Sequence, residues 1–110
     1  MTLRLGEIVL IRMQFRQAAG SKVRPALALL DTGDDDFVAA PVTSQSWISE
    51  YDMGIVDWRV AGLNVPSSVR VHKLTVLSKA EVIRSIGVIS IADGESLLRV
   101  LCRTFCPSMS

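Results

Sequence analysis

The strictest constraint in this sequence is the alternation across residues 7–15. Val9, Ile11, Met13 and Phe15 fall on one side of an extended chain, and Ile8, Leu10, Arg12 and Gln14 on the other. A period of two is strand periodicity, and the more apolar side is expected to face inward. Residues 25–30 form a second extended piece, apolar on both sides and so expected to be buried on both. Residues 37–43 make a third. Pro41 near its end places that strand at an edge, or leaves it unpaired at that residue. Further extended pieces follow at 68–72, 74–77 and 86–90, with turns at 31–36 and 62–67 rich in Asp, Gly and Asn. The acid-rich 31–36 turn is expected to be a solvated hairpin tip, since it lacks calcium-loop ligand spacing. Residues 79–84 read as a short helix.

One longer helix closes the chain. Ser90 suits an N-cap, Asp93 and Glu95 lie near the positive end of the dipole, and Pro107 stops the helix beyond Phe105. Leu97, Leu98, Leu101 and Phe105 form its expected apolar stripe. Five or more short strands with one terminal helix imply a mainly β small barrel, a single domain over residues 1–110. Hydrophobic residues make up 49% and mean hydropathy is +0.36, high for a chain of 110 residues. The excess is assigned to a subunit interface, and a homodimer is expected. No apolar run approaches the roughly 20 residues of a membrane span, and residues 1–13 lack a signal-peptide pattern, so the expected location is the cytoplasm with no membrane association.

The net charge of +1 hides a segregation. The charged residues between 8 and 30 are Arg12, Arg16, Lys22 and Arg24, all basic. Arg70, Lys73 and Lys79, with His72, form a second basic group, while Asp31, Asp34, Asp35 and Asp36 cluster apart. One basic face is what an anionic partner would require, although such segregation also occurs on ordinary solvated surfaces. Cys102 and Cys106, four apart, with a single His in the chain, provide no zinc ligand set. They are poorly spaced for a disulfide within one helix and are expected to be half-buried small hydrophobes. Trp47, Tyr51 and Trp58 either cap the core or stack a base.

The stretch from Gly20 through Ser21, Lys22, Val23 and Arg24 to Pro25 brings two cations to the mouth of a strand. Pro25 has no amide hydrogen and biases Arg24 toward an extended backbone. A guanidinium held there offers a fork of donors suited to phosphate. The alternative is a basic surface loop feeding an ordinary strand.

Four blocks, taken in order, resemble the MazF/PemK toxins of bacterial toxin–antitoxin pairs. They are Gly6-Glu7-Ile8-Val9; Gly20-Ser21-Lys22-Val23-Arg24-Pro25-Ala26-Leu27; Ala40-Pro41-Val42-Thr43-Ser44-Gln45; and Gly62-Leu63 with Pro66-Ser67-Ser68-Val69-Arg70, followed by Lys73-Leu74 and Ile86-Gly87-Val88-Ile89-Ser90. Order and spacing hold over nearly the whole chain. The resemblance implies an SH3-like barrel of the CcdB/MazF/PemK type, a homodimer and a cognate antitoxin. It also implies a metal-independent, cofactor-free endoribonuclease that cuts single-stranded RNA at short motifs, leaving a 2′,3′-cyclic phosphate and a 5′-hydroxyl. The family's Arg and Thr pair maps onto Arg24 and Thr43. The 2′-hydroxyl is its own nucleophile, so the protein must position a phosphate, stabilise added negative charge and move two protons. Arginine is a poor proton acceptor. Some PemK-type relatives carry Arg-x-Asp on the strand matching 68–72. Here Arg70 matches the Arg, and His72 stands where the Asp would be. His72 is either the acceptor of the 2′ proton or a structural residue. Arg16, Lys22 and Lys73 are candidate phosphate contacts, and Phe15, Ser44 and Gln45 candidate base contacts. Two other functions share this barrel: a gyrase-poisoning toxin acting by protein contact, expected to use its C-terminal helix, and a non-catalytic RNA-binding barrel.

Overall fold

The computed structural model describes residues 1–14, 21–45 and 48–106. Seven strands precede one helix: β1 (Glu7–Gln14), β2 (Ser21–Leu30), β3 (Asp36–Thr43), β4 (Asp52–Ile55), β5 (Ser67–Arg70), β6 (Thr75–Ser78), β7 (Val82–Val88) and α1 (Ile91–Phe105). The ladder runs β4-β5-β3-β2-β1-β7, with β6 also on β3. All pairs are antiparallel, and among the described residues no ladder returns from β7 to β4, so the barrel-like sheet is open. Among the described residues no helix is long and apolar enough to cross a membrane.

β1 and β2 pair from Ile8↔Leu27 to Gln14↔Ser21. The basic Lys22-Val23-Arg24 segment is therefore strand, not loop, because the β1 edge satisfies its backbone. Both faces of this sheet are covered. Ile8, Leu27, Ala40 and Val42 face a core shared with Met53, Val69, Leu97 and Val100. Val9, Ile11, Ala26, Ala28, Phe37 and Ala39 form a second cluster on the opposite face, joined by Leu3. Met13, expected to share the inward side, is 40% exposed.

Pro41 does not mark an edge strand. It pairs with Ala26 of β2, and β3 is interior. Along the other edge of β3 run β6, opposite Asp36–Ala39, and β5, opposite Val42 and Thr43. Pro41 falls between these two stretches, where its missing N–H costs no ladder bond. β5 and β6 are one strand interrupted by the 3₁₀ turn Val71–Lys73, and the register shifts by the three residues of that turn.

The short helix expected over 79–84 is a single 3₁₀ turn, Lys79–Glu81, capped by Ser78 Oγ. The chain then enters β7, whose pairing with β1 overrides the local helix preference. Gly62 and Gly87 let the 61–63 turn lie directly on β7. A Cβ on Gly62, at φ +87°, would stand 2.0 Å from the Ile86 carbonyl oxygen, and one on Gly87 would stand 2.4 Å from that of Ala61.

α1 begins as expected, with Ser90 Oγ accepting the Asp93 N–H at 3.1 Å. Its buried face is different: Leu97 and Val100 are buried and Leu101 packs beside them, whereas Leu98 and Phe105 are about half exposed. Cys102 and Cys106 are both exposed rather than half-buried. Trp58 packs against the first core, with the Arg59 guanidinium 4.5 Å from its ring centre. The 31–36 turn is only partly a solvated tip. Asp31 accepts the Leu3 N–H and the Gly33 N–H, each at 2.8 Å, and pairs with Lys79 Nζ at 2.8 Å. Lys79 also donates to the Met1 carbonyl, so this carboxylate moors the chain's start.

Candidate functional site

β3 leaves β2 after Pro41 and is taken up by β5 at Val42 and Thr43. Continuing the β2–β3 register two residues past Ala26↔Pro41 sets Arg24 facing Thr43. No ladder joins the strands there. A cleft of about 580 Å³ has both residues in its lining. Arg24 is kept extended by the Pro25 that follows and pairs with Ile11 of β1 on its other side. Thr43 is half-buried, and its Oγ accepts the Gln45 N–H at 3.2 Å. That local turn uses an acceptor site and leaves the hydroxyl proton to donate.

Ser44 and Gln45 line the same cleft and are exposed. Facing them are Asn64 and Ser67, and from β7 a second guanidinium, Arg84. Among the described residues the lining holds two arginines and no carboxylate. Arg84 escaped the sequence reading because its place depends on the β1–β7 register, Leu10↔Arg84, which nothing local encodes.

Arg70 and His72 do not line this cleft. They gather around Asp52, which is paired with Arg70 across β4–β5. The Asp52 side chain is 2% exposed. Its Oδ2 accepts the Ser49 N–H at 2.8 Å, while its Oδ1 lies 3.6 Å from Arg70 Nε and 3.9 Å from His72 Nδ1 and accepts no hydrogen bond. The Tyr51 ring lies 5.3 Å from that of His72. Asp52 was not legible as a site residue, since only strand pairing makes an isolated acid at 52 the neighbour of residues 70 and 72. Lys22 and Lys73 are exposed and line neither this cleft nor its smaller neighbour. Phe15 and Arg16, like Trp47, lie outside the described residues.

The two clusters share one sheet face. Thr43 pairs with Ser68, and Arg70 is one pleat further along β5. Strand spacing and rise put Arg70 about 8 Å from Thr43, Cα to Cα. A chain of phosphates and sugars crossing β3 and β5 could touch both.

Solved structures share this architecture. The Mycobacterium tuberculosis toxin MazF-mt6 superposes with a TM-score of 0.71 at 20% identity, covering 92% of this chain and 99% of that one. A Deinococcus radiodurans MazE–MazF structure gives 0.76 at 17% identity, covering 94% and 96%. A mycobacterial endoribonuclease in complex with its cognate antitoxin gives 0.72 at 16% identity over the full length of both chains. At these identities the likeness concerns the fold. No curated protein matches the chain in sequence. A family model does, over residues 4–105, and by that match the chain belongs to the PemK-like, MazF-like toxins of type II toxin–antitoxin systems.

Proposed function

We propose that this chain is a cytoplasmic, homodimeric toxin that cleaves single-stranded RNA without a metal, by attack of the ribose 2′-hydroxyl on its own phosphate. The observation that carries the reading is the acid-free cleft holding Arg24, Arg84 and the Thr43 hydroxyl together. Such a lining suits a phosphodiester and the extra charge it gains as the fifth oxygen arrives. Arg24 stabilises that charge, and Thr43 donates to a non-bridging oxygen. The P–O2′ bond forms, the P–O5′ bond breaks, and the departing 5′-oxygen takes a proton, with the Arg24 guanidinium as the nearby donor. The 2′ proton passes to solvent water, since His72 lies beyond Arg70 and outside the cleft lining. Arg70 binds the same strand one pleat away, and Lys22 and Lys73 add sequence-independent affinity. The cognate antitoxin is expected to cover this basic cleft with an acidic segment. The half-exposed Leu98 and Phe105 and the largely exposed Ile91 on α1 supply apolar surface for the twofold partner.

The test is incubation of the purified protein with mixed-sequence RNA in EDTA, with ends mapped. Cyclic-phosphate ends at a recurring motif are expected. Arg24→Ala and Thr43→Ala should each slow cleavage by about 10²–10³-fold. His72→Asn should leave the cleavage rate within about twofold; a strongly slowed rate in a folded variant would return His72 to the mechanism as the acceptor of the 2′ proton. A folded protein that cuts nothing would instead favour the gyrase-poisoning reading.

A further inference from the structure

Gly54 sits inside β4, where a glycine weakens a strand and brings nothing to pack. The fold does not require it. Its φ is not positive, and a Cβ built there meets no atom within 4 Å. The open position faces a second cavity of about 340 Å³, at the small end of the range for ligand sites. The walls are apolar at Ile48, Val56 and Pro66, and hydroxyl-bearing at Ser67 and Ser68, while Ile55 borders the cavity with its side chain turned into the core. Ser44, Gln45 and Ser67 belong to both cavities.

The registers align this slot with the cleft. Thr43 pairs with Ser68, and Ser68 with Gly54, so the three form one cross-strand row on one sheet face. Two strand spacings separate its ends, about 10 Å. The row thus leads from the hydroxyl beside the phosphate cleft to an apolar opening rimmed by an amide and hydroxyls. A nucleobase has those properties in complement: flat apolar faces and a hydrogen-bonding edge.

We propose that the Gly54 slot takes the unstacked base of a nucleotide adjoining the scissile phosphate, and that the missing side chain at 54 sets how large that base can be. Ser68 and Gln45 read its edge. This rests on the ribonuclease reading, but it has a readout of its own.

The experiment compares wild type with Gly54→Ala and Gly54→Val, both expected to fold because the Cβ is unopposed. Cut sites are mapped on a random RNA library. In parallel, binding of a 2′-deoxy, non-cleavable oligonucleotide carrying the wild-type motif is measured, intact and with a single abasic position on either side of the scissile link. Expected results are a shift at one motif position toward smaller bases in Gly54→Val, and a loss of about tenfold or more when that base is deleted for wild type but not for Gly54→Val. An unchanged motif, with rates within twofold and equal binding of the abasic strands, would overturn the slot. If wild type cuts nothing, the ribonuclease reading falls, and the slot is then judged with a pool of random-sequence deoxy-oligonucleotides: tighter binding by wild type than by Gly54→Val supports it, and equal binding overturns it.

Discussion

Replacing Asp93 by alanine should be among the most damaging single changes in this protein. The Asp93 residue is 2% exposed. Its Oδ1 accepts the Val56 N–H at 3.0 Å and its Oδ2 the Asp57 N–H at 2.9 Å, two donors that β4 leaves behind as it ends. A hydrogen bond to a charged acceptor contributes about 1.5–3 kcal/mol, so the pair is worth about 3–6 kcal/mol. The loss of a carboxylate in the first turn of α1 adds about 0.3–1 kcal/mol. Val56 is exposed and Asp57 half-buried, so water can replace part of what is lost. The lower part of the range, about 3–4 kcal/mol, is therefore expected. With roughly 4 °C per kcal/mol, Tm should fall by about 12–16 °C. Asp93→Asn keeps one acceptor but turns an NH2 toward the other N–H, and should cost about 2–3 kcal/mol. Ser90→Ala removes only the cap, at about 1 kcal/mol. Urea denaturation of the three variants gives the order directly. If Asp93→Ala costs no more than Ser90→Ala, the carboxylate is a cap and not a strut, and the reasoning fails.

Gly62→Ala combines a left-handed backbone with a Cβ driven into the Ile86 carbonyl, and should destabilise by about 3 kcal/mol or more, whereas Gly33→Ala, at φ +96° with nothing near, should cost only about 1 kcal/mol; thermal melts of both separate collision from conformation. Asp31 is held at a pKa of about 2, below the ordinary 3.8, first by its hydrogen bond from Lys79 and then by the Leu3 and Gly33 amides. Its contribution is thus fully present above pH 3.8 and lost as pH falls through about 2, so Asp31→Asn should be less stable than wild type at pH 6, with the gap narrowing below pH 3.8 and closing only below pH 2, measured by acid-unfolding curves. Asp52→Asn keeps the shape but removes the carboxylate charge 3.6 Å from Arg70 Nε; because Arg70 is 21% exposed, the cost should be about 1–3 kcal/mol rather than that of a fully buried pair, and a double-mutant cycle with Arg70→Met would recover the coupling.

What could be read from sequence was what neighbouring residues encode. The extended run of β1, the cap at Ser90 and the extent of α1 are local, and each stands in the structure; which side of β1 turns inward is not local, since Ile8 and Val9 are both buried and Met13 is exposed. So does the Arg24-Pro25 restriction, which needs only adjacent atoms. What stayed hidden depends on register. Arg84 enters the cleft through the β1–β7 ladder, Asp52 meets Arg70 through β4–β5, and Asp31 finds Leu3 and Lys79 by folding. The helix stripe was misjudged for a related reason. Periodicity identifies an apolar arc that includes Leu97, Leu98 and Leu101, but the direction of packing decides that Leu97 and Val100 turn inward while Leu98 does not.

The site lies where β3 cannot serve two neighbours at once. Its first half is held between β2 and β6, and its last two residues are drawn to β5. The three-residue turn Val71–Lys73 absorbs the mismatch on one edge, and on the other the β2 ladder stops at Ala26. Pro41 fits this break because it has no N–H to leave unsatisfied there. A strand that parts from its partner cannot be closed by side chains alone, so the opening persists as a cleft whose floor is core and whose lip is Arg24 and Thr43. The place of Arg24 and Thr43 is thus set by the fold's own ladder mismatch, two residues beyond the last β2–β3 pair. Filling or re-registering that break, rather than altering the core beneath it, is the change that would erase the site and leave the protein folded.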